Sequence, residues 1–560
     1  MMVSKAPSSA NTPRAHITNM AALECLRDVG LDKPCMRLAT QGDCMLHTRW
    51  CYSMAGREYA RIYSWGNDPA RQGDYASASP CRPVDLPQTL LEPTLVAHAA
   101  RHGFKCRFDT EFVRFDDRGG DGGVLTTLFD RATQHTFQVR SQYLFGADGA
   151  RSEVVRQLRL PLVKQPSQGL AFNVLVDADL TALVQHRMGN LHWILQPGAA
   201  HPDFAWIGIV RMVEPWRRWM FIMFPAPDAG TALATPTAAQ CLGRVREWIG
   251  DDSIAVDVLD VSPWQINETV AASYARGNVF CLGDAVHRHP PMNGLGSNTC
   301  IQDAFNLAWK VAYVAQGRAG RALLDTFSAE RQPVGAAVVA RANDGLRDHH
   351  RVWEALGVLP GSAAEEADEL AADSAAGRAR RLRLQRAVAQ TAREFHGLGV
   401  EMNQLYASPS AAVHTDGVGD EDGDESADPV LHHVPSTFPG RRLPHVWLSA
   451  AVPAGLVSTI DLAGRGAFAL FTGIGGEGWR EAAAAVAAEL GVPVRAVSIG
   501  PGQDFEDVYF AWARVRGVGE SGCVLVRPDR FVAWRAGEMA GGREWALLKL
   551  QAALAAVLSR

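Results

Sequence analysis

Residues 277–310 read GNVFCLGDAVHRHPPMNGLGSNTCIQDAFNLAWK, and the order of residue types along them decides the fold. An apolar run ends at Gly283–Asp284, two prolines and two glycines follow, and a helical pattern starts near Ser297–Asn298. Strand, turn, loop and helix in that order put the Asp284 carboxylate at the carboxyl end of a strand, where α/β proteins hold ligands. The glycines let backbone approach something flat or phosphorylated. The first N–H groups of the helix are unsatisfied and carry partial positive charge. Asp284 is therefore placed to accept hydrogen bonds from a polyol, with the loop facing a ring or an anion. The competing reading is an aspartate cap beside a structural loop.

A second stretch has the same shape. YLFGADGARSEVVRQL, 143–158, runs strand, turn, helix, with Asp148 between Gly146 and Gly149 and with Arg151 and Ser152 behind it. It suits a diphosphate or ribose at a helix start; a plain capped turn is the alternative. FALFTGIGGEGWREAAAAVAAEL, 468–490, satisfies G-x-G-x-x-G at Gly473, Gly475 and Gly478, but no acid closes the next strand, which ends at Ser498 and Gly500. A dinucleotide site needs that acid for the ribose.

The chain has 560 residues, 47% of them hydrophobic and 21% charged, and a formal net charge of −5. That length supports several cores. The charge argues against a nucleic-acid partner, since phosphate neutralisation requires a basic face. No apolar run is long enough for stable membrane insertion and no signal-peptide core is present, so a cytoplasmic location is expected. The ten cysteines lack C-x-x-C pairs and zinc spacing and read as reduced thiols. No metal site is expected, and His287 and His289 read as supporting residues.

Together, GADGARS and the 277–310 stretch resemble the FAD-dependent aromatic hydroxylases (class A flavoprotein monooxygenases). PRAHITN (13–19), RQGDYASASP, DLPQTLLEPTLVAHAA, PGRRLPHVWL and CVLVRPDRFVAWRA extend the likeness to the phenol-hydroxylase branch. The resemblance implies bound FAD, reduction by NAD(P)H, and ortho-hydroxylation of a small phenolic substrate with O2 through a flavin C4a-hydroperoxide. It implies an α/β fold in which a Rossmann-like FAD domain, 1–164 and 263–347, carries an inserted β-rich substrate domain, 165–262. A helical connection (348–407), an acidic linker (408–431) and a redox-silent thioredoxin-like domain (432–560) follow. The last domain is expected to serve packing or homodimer contacts.

The family opens with a strand, a G-x-G-x-x-G turn and a helix. This chain joins the pattern only at about Thr12, so the first βαβ unit, roughly 40 residues, is expected to be missing. An incomplete gene model or an FAD-poor, inactive homologue then stands beside the working monooxygenase; a flavin-dependent oxidase is a third reading.

The resemblance also assigns residues. His16 is the candidate base that takes the phenol proton, and Asp85 in VDLPQ orients it; a surface or capping histidine is the alternative. Arg14 and Gln88 are expected at the FAD, with Asp148, Gly149, Asp284, Pro291, Gly294, Leu295, Gly296 and Asn298. Arg211 in GIVRMV is expected at the phosphate of the nicotinamide cofactor. Trp193 and Trp206 either line the aromatic pocket or belong to the core.

Overall fold

The computed structural model describes residues 1–166, 169–227, 229, 233–359, 369–408, 428–450 and 452–560. Most of the expected acidic linker lies outside the described residues.

The largest sheet among the described residues has seven strands. Its strands run in the order Asp257–Gln265, Leu170–Asp177, Arg218–Phe224, Ile207–Glu214, Leu191–Ile194, His47–Cys51 and Glu58–Tyr63. Neighbours are antiparallel except Leu191–Ile194 and His47–Cys51, which pair in parallel. The sequence reading confined this sheet to 165–262. The structure extends it with the hairpin 47–63, whose Trp50 is fully buried on the sheet. Pairing across such a separation follows from tertiary burial, which local pattern does not reveal.

Alternation along the strands splits the core in two. One face, with Phe172, Val174, Trp219 and Phe221, packs on the helix Ala238–Ile249. That helix starts at a Thr237/Gln240 capping box and ends at Gly250 with φ +75°, so both ends are satisfied locally. The other face, with Trp50, Trp193, Ile209 and Ile222, packs on the long helix Thr326–Leu356 and on Ala375–Gln390.

Two further parallel pairs belong to separate, smaller sheets. Leu144–Gly146 pairs in parallel with Val279–Cys281. Met2–Val3 pairs in parallel with Cys106–Arg107, and Ser4 N donates to Arg107 O at 3.0 Å. Two apolar residues near the start of the chain thus complete a short ladder. Residues 1–11 contain no glycine and supply no glycine turn. Among the described residues, no hydrogen-bonded strand connects the two parallel pairs.

The C-terminal unit is a four-stranded sheet, Val494–Ser498, Phe468–Thr472, Cys523–Val526 and Val532–Ala536. The first pair is parallel and the others antiparallel, the thioredoxin-like arrangement. Helices Glu477–Leu490 and Arg543–Val557 share one core on it. Its glycine turn is filled by the protein itself. A Cβ at Gly473 would stand 2.5 Å from Glu520 O, and one at Gly478 would stand 3.1 Å from the Met539 side chain. Those glycines serve close packing. Buried ion pairs hold the unit to the rest: Arg442 to Glu24, Arg530 to Asp28 at 3.0 Å, and Arg527 to Glu330 at 2.8 Å.

Candidate active site

The turn at Asp284 is built by a buried acid behind it. Gly283 has φ +64°, a conformation open to glycine and costly for most side chains. Its N–H donates to Asp303 Oδ2 at 3.1 Å. The same carboxylate bonds His287 Nε2 (2.8 Å) and Arg331 Nε (2.7 Å), and all three side chains are fully buried. Burial alone would raise the Asp303 carboxyl, but the charges of Arg331 and His287 hold it below the ordinary range. Asp284 itself is exposed, and the one side-chain contact to its carboxylate among the described residues is the Cys300 thiol at 3.8 Å.

The glycine loop leads into the helix Gly296–Ala315, which has no side-chain cap at its start. Its first N–H groups are thus available to a ligand. Gly294 has φ +59°, and a Cβ there would meet Ile17 at 3.1 Å. Pro291 is exposed and Leu295 buried. A Cβ at Gly296 would meet the His289 ring at 3.5 Å. Burial brings His289 down to about 4, so it is neutral beside the loop.

Asn298, 1% exposed, ties the loop to the N-terminal segment. Its amide donates to Ile17 O (2.9 Å) and Gly294 O (2.5 Å), and its oxygen accepts from Asn19 N (3.0 Å). Asn19 in turn caps the helix Met20–Asp28. His16 is therefore held next to the glycine loop, although the two are far apart in the chain.

His16 Nδ1 lies 2.9 Å from Asp85 Oδ2. The strand pairing Ile17↔Asp85 sets this distance. Asn190 Nδ2 donates to the same oxygen at 2.8 Å. Burial and the Arg211 charge push His16 below its ordinary value, and Asp85 restores only part of the shift. Burial would raise Asp85, but His16, Asn190 and Arg211 hold it low. The pair is a neutral imidazole against a carboxylate. Nδ1–H donates to Asp85, leaving the Nε2 lone pair as the basic site.

The Arg211 expectation is corrected. Arg211 is 3% exposed and its guanidinium donates to Pro13 O and to Arg14 O, the latter at 3.0 Å. Burial lowers it to about 10, with Asp85 opposing. It braces the loop that carries Arg14 and His16 and is closed to an external phosphate. Asp148 accepts from Ser152 Oγ (2.6 Å), Glu153 N (2.7 Å) and Val154 N (3.2 Å). Its carboxylate braces the first turn of the helix Glu153–Leu158, whose N-cap is Ser152, and Gly149 supplies the turn at φ +78°.

Arg14 is exposed. Gln88 N donates to Ala15 O at 2.8 Å while its side chain bonds Glu92. Trp193 is fully buried on the sheet and Trp206 is half-buried, its Nε1 donating to Val358 O at 3.1 Å. Sequence reasoning missed Asn190, because an asparagine ahead of a strand carries no sign of the carboxylate it will meet.

The residues present fit a bound dinucleotide flavin: an exposed carboxylate with a single thiol hydrogen bond among the described residues, a glycine-bearing loop and a 20-residue helix with no side-chain cap follow one another along the chain. Two family models match the chain, "FAD binding domain" over residues 1–342 and "Aromatic-ring hydroxylase, C-terminal" over 436–560. The chain is 45% identical to 2,4-dichlorophenol 6-monooxygenase of Cupriavidus pinatubonensis (strain JMP 134 / LMG 1197), covering 96% of this chain and 89% of that protein. It is 39% identical to phenol 2-monooxygenase of Pseudomonas sp. (strain EST1001), covering 98% and 87%. Among solved structures it resembles the flavin-dependent monooxygenase PieE in complex with FAD and substrate, with a TM-score of 0.92, 39% identity and coverage of 100% and 94%.

Proposed function

Since the chain belongs to the FAD-dependent aromatic-ring hydroxylases, we propose that it hydroxylates a phenol ortho to its hydroxyl, using NAD(P)H and O2. The observation that carries this reading is the His16–Asp85 pair, 2.9 Å apart and fastened through Asn298 to the glycine loop.

Bound FAD, once reduced by NAD(P)H, supplies the activated oxygen. Asp284, the loop 291–296 and the start of the helix at Gly296 would hold it. Attack by electrophilic oxygen is easier on a phenolate than on a phenol, whose proton leaves near pH 10 unassisted. His16 Nε2 takes that proton. The Asp85 carboxylate, fixed by Asn190, keeps the tautomer and stabilises the imidazolium that forms. Arg211 holds the Pro13–Arg14 backbone and so fixes where the imidazole stands.

The test is product analysis on His16→Ala. Hydroxylation should fall about 10²–10⁴-fold, the usual worth of general-base assistance, while NAD(P)H oxidation continues and releases hydrogen peroxide. Normal coupling in the variant would remove His16 from the reaction. The pH profile carries the sign. Because His16 sits below its ordinary value, the neutral base persists through neutrality. The rate should fall only as pH drops through a value under the ordinary 6.5. A limb at or above 6.5 would contradict a buried neutral base.

A further inference from the structure

Between Pro291 and Gly296 one residue other than glycine takes the left-handed conformation: Asn293, with φ +63°. Asparagine tolerates that region better than most side chains. Its own side chain is 3% exposed. Nδ2 donates to Arg393 O at 2.8 Å and to Glu394 O at 3.3 Å. Both partners are carbonyl oxygens, which fixes the orientation of the amide. Among the described residues Oδ1 accepts no hydrogen bond, so the NH2 end alone is the anchor.

The support for that anchor is itself held. Arg393 and Glu394 belong to the short helix Ala392–Phe395. The Glu394 carboxylate lies 2.7 Å from Nε2 of the buried His349. Phe395 O accepts from Trp65 N at 3.0 Å, and the Phe395 ring stands edge-on to Trp65 at 5.5 Å. The loop is thus tied to a packed element 100 residues further along the chain.

A second observation points to the same amide. Gly345 lies inside the helix Thr326–Leu356, where glycine is unfavourable relative to alanine. No positive φ calls for it. Space does: a Cβ at Gly345 would stand 2.9 Å from Asn293 Oδ1 and 3.3 Å from the Met292 side chain. From this geometry, and resting on the reading that the loop 291–296 faces the flavin, we propose that Asn293 is a positioning residue for the cofactor. It acts through the loop backbone, since both ends of its amide face protein. Gly345 is the space kept for that amide.

FAD titration of the flavin-free full chain by fluorescence quenching tests this. Asn293→Gly keeps the left-handed turn and removes the amide; FAD affinity should fall about tenfold, the worth of one or two hydrogen bonds. Asn293→Asp, whose carboxylate has no donor for either carbonyl, should fall at least as far. Gly345→Ala improves the helix by its local preference, yet should weaken FAD binding several-fold by pressing on the amide. At saturating FAD, the visible spectrum of the bound flavin should shift toward that of free FAD in all three. Asp148→Ala, which removes hydrogen bonds from another turn, is the control for a merely structural effect. Unchanged affinity and spectrum in Asn293→Gly overturn the proposal, as does an equal loss in Asp148→Ala. Should Asn293→Gly fold poorly, Gly345→Ala decides, and unchanged affinity there overturns the proposal. Asp284→Ala separates this inference from the reading beneath it. A loss there with none in Asn293→Gly leaves the flavin site and removes the anchor; a loss in neither removes both.

Discussion

Asp148 and Asp284 occupy turns that look alike: a strand, a glycine, the acid, a small residue and a helix to follow. Their carboxylates have opposite fates. The helix behind Asp148 starts within five residues, and its Ser152 hydroxyl and first N–H groups take up both oxygens. The helix behind Asp284 does not start until Gly296, so the acid is out of reach of those N–H groups and stays open. Whether an acid at a strand end is a ligand or a cap thus depends on how soon the helix begins. At Asp284 a second acid, Asp303, holds the turn, which frees the first for other partners.

Asp303→Ala should have the largest effect. It leaves Arg331 and His287 without their buried carboxylate and Gly283 N without its acceptor. Breaking a buried ion pair costs about 3–5 kcal/mol, which chemical denaturation would read. A loss under about 1 kcal/mol would show that the Asp284 turn stands without it.

Asp284→Ala comes next. Its expected deficit is in flavin affinity, about 1.5–3 kcal/mol for charge-assisted hydrogen bonds, with the melting temperature of the flavin-free protein nearly unchanged. Flavin titration by fluorescence quenching measures it. Unaltered affinity would make Asp284 as inert toward the cofactor as the comparison makes Asp148.

Asp148→Ala should be smallest and of the other kind. Losing its hydrogen bonds to Ser152 and the first helical N–H groups costs about 1 kcal/mol of stability, with flavin affinity held within about twofold, a few tenths of a kcal/mol. A variant that folds normally and binds flavin poorly would erase the distinction between the two turns.

The strand–turn–helix units were legible because strand, glycine and helix signals are local. His16 and Asp85 were legible only through family likeness, since what joins them is the two-residue ladder Ile17–Thr18 with Val84–Asp85. The rest was hidden for the same reason in each case. Arg211 reads as an available cation until the Pro13 and Arg14 carbonyls close over it. The hairpin 47–63 reads as part of its own neighbourhood until it adds to a sheet built mostly from later residues. His349 and Glu394 sit 45 residues apart in stretches that read simply as helix. Non-local pairing, unlike turn chemistry, leaves no periodicity to detect.

The ion pairs between the last unit and the helix Met20–Asp28 bear on how the molecule comes apart. Glu24 and Asp28 lie on that helix, directly after the His16 segment, and their partners Arg442 and Arg530 are buried with them. Charges shielded from water respond little to added salt. A protease cut anywhere in 409–427 should therefore leave both fragments bound to each other at high ionic strength. On heating, the C-terminal fragment and the helix beside the base should melt as one cooperative transition, because neither can leave without exposing an unpaired charge.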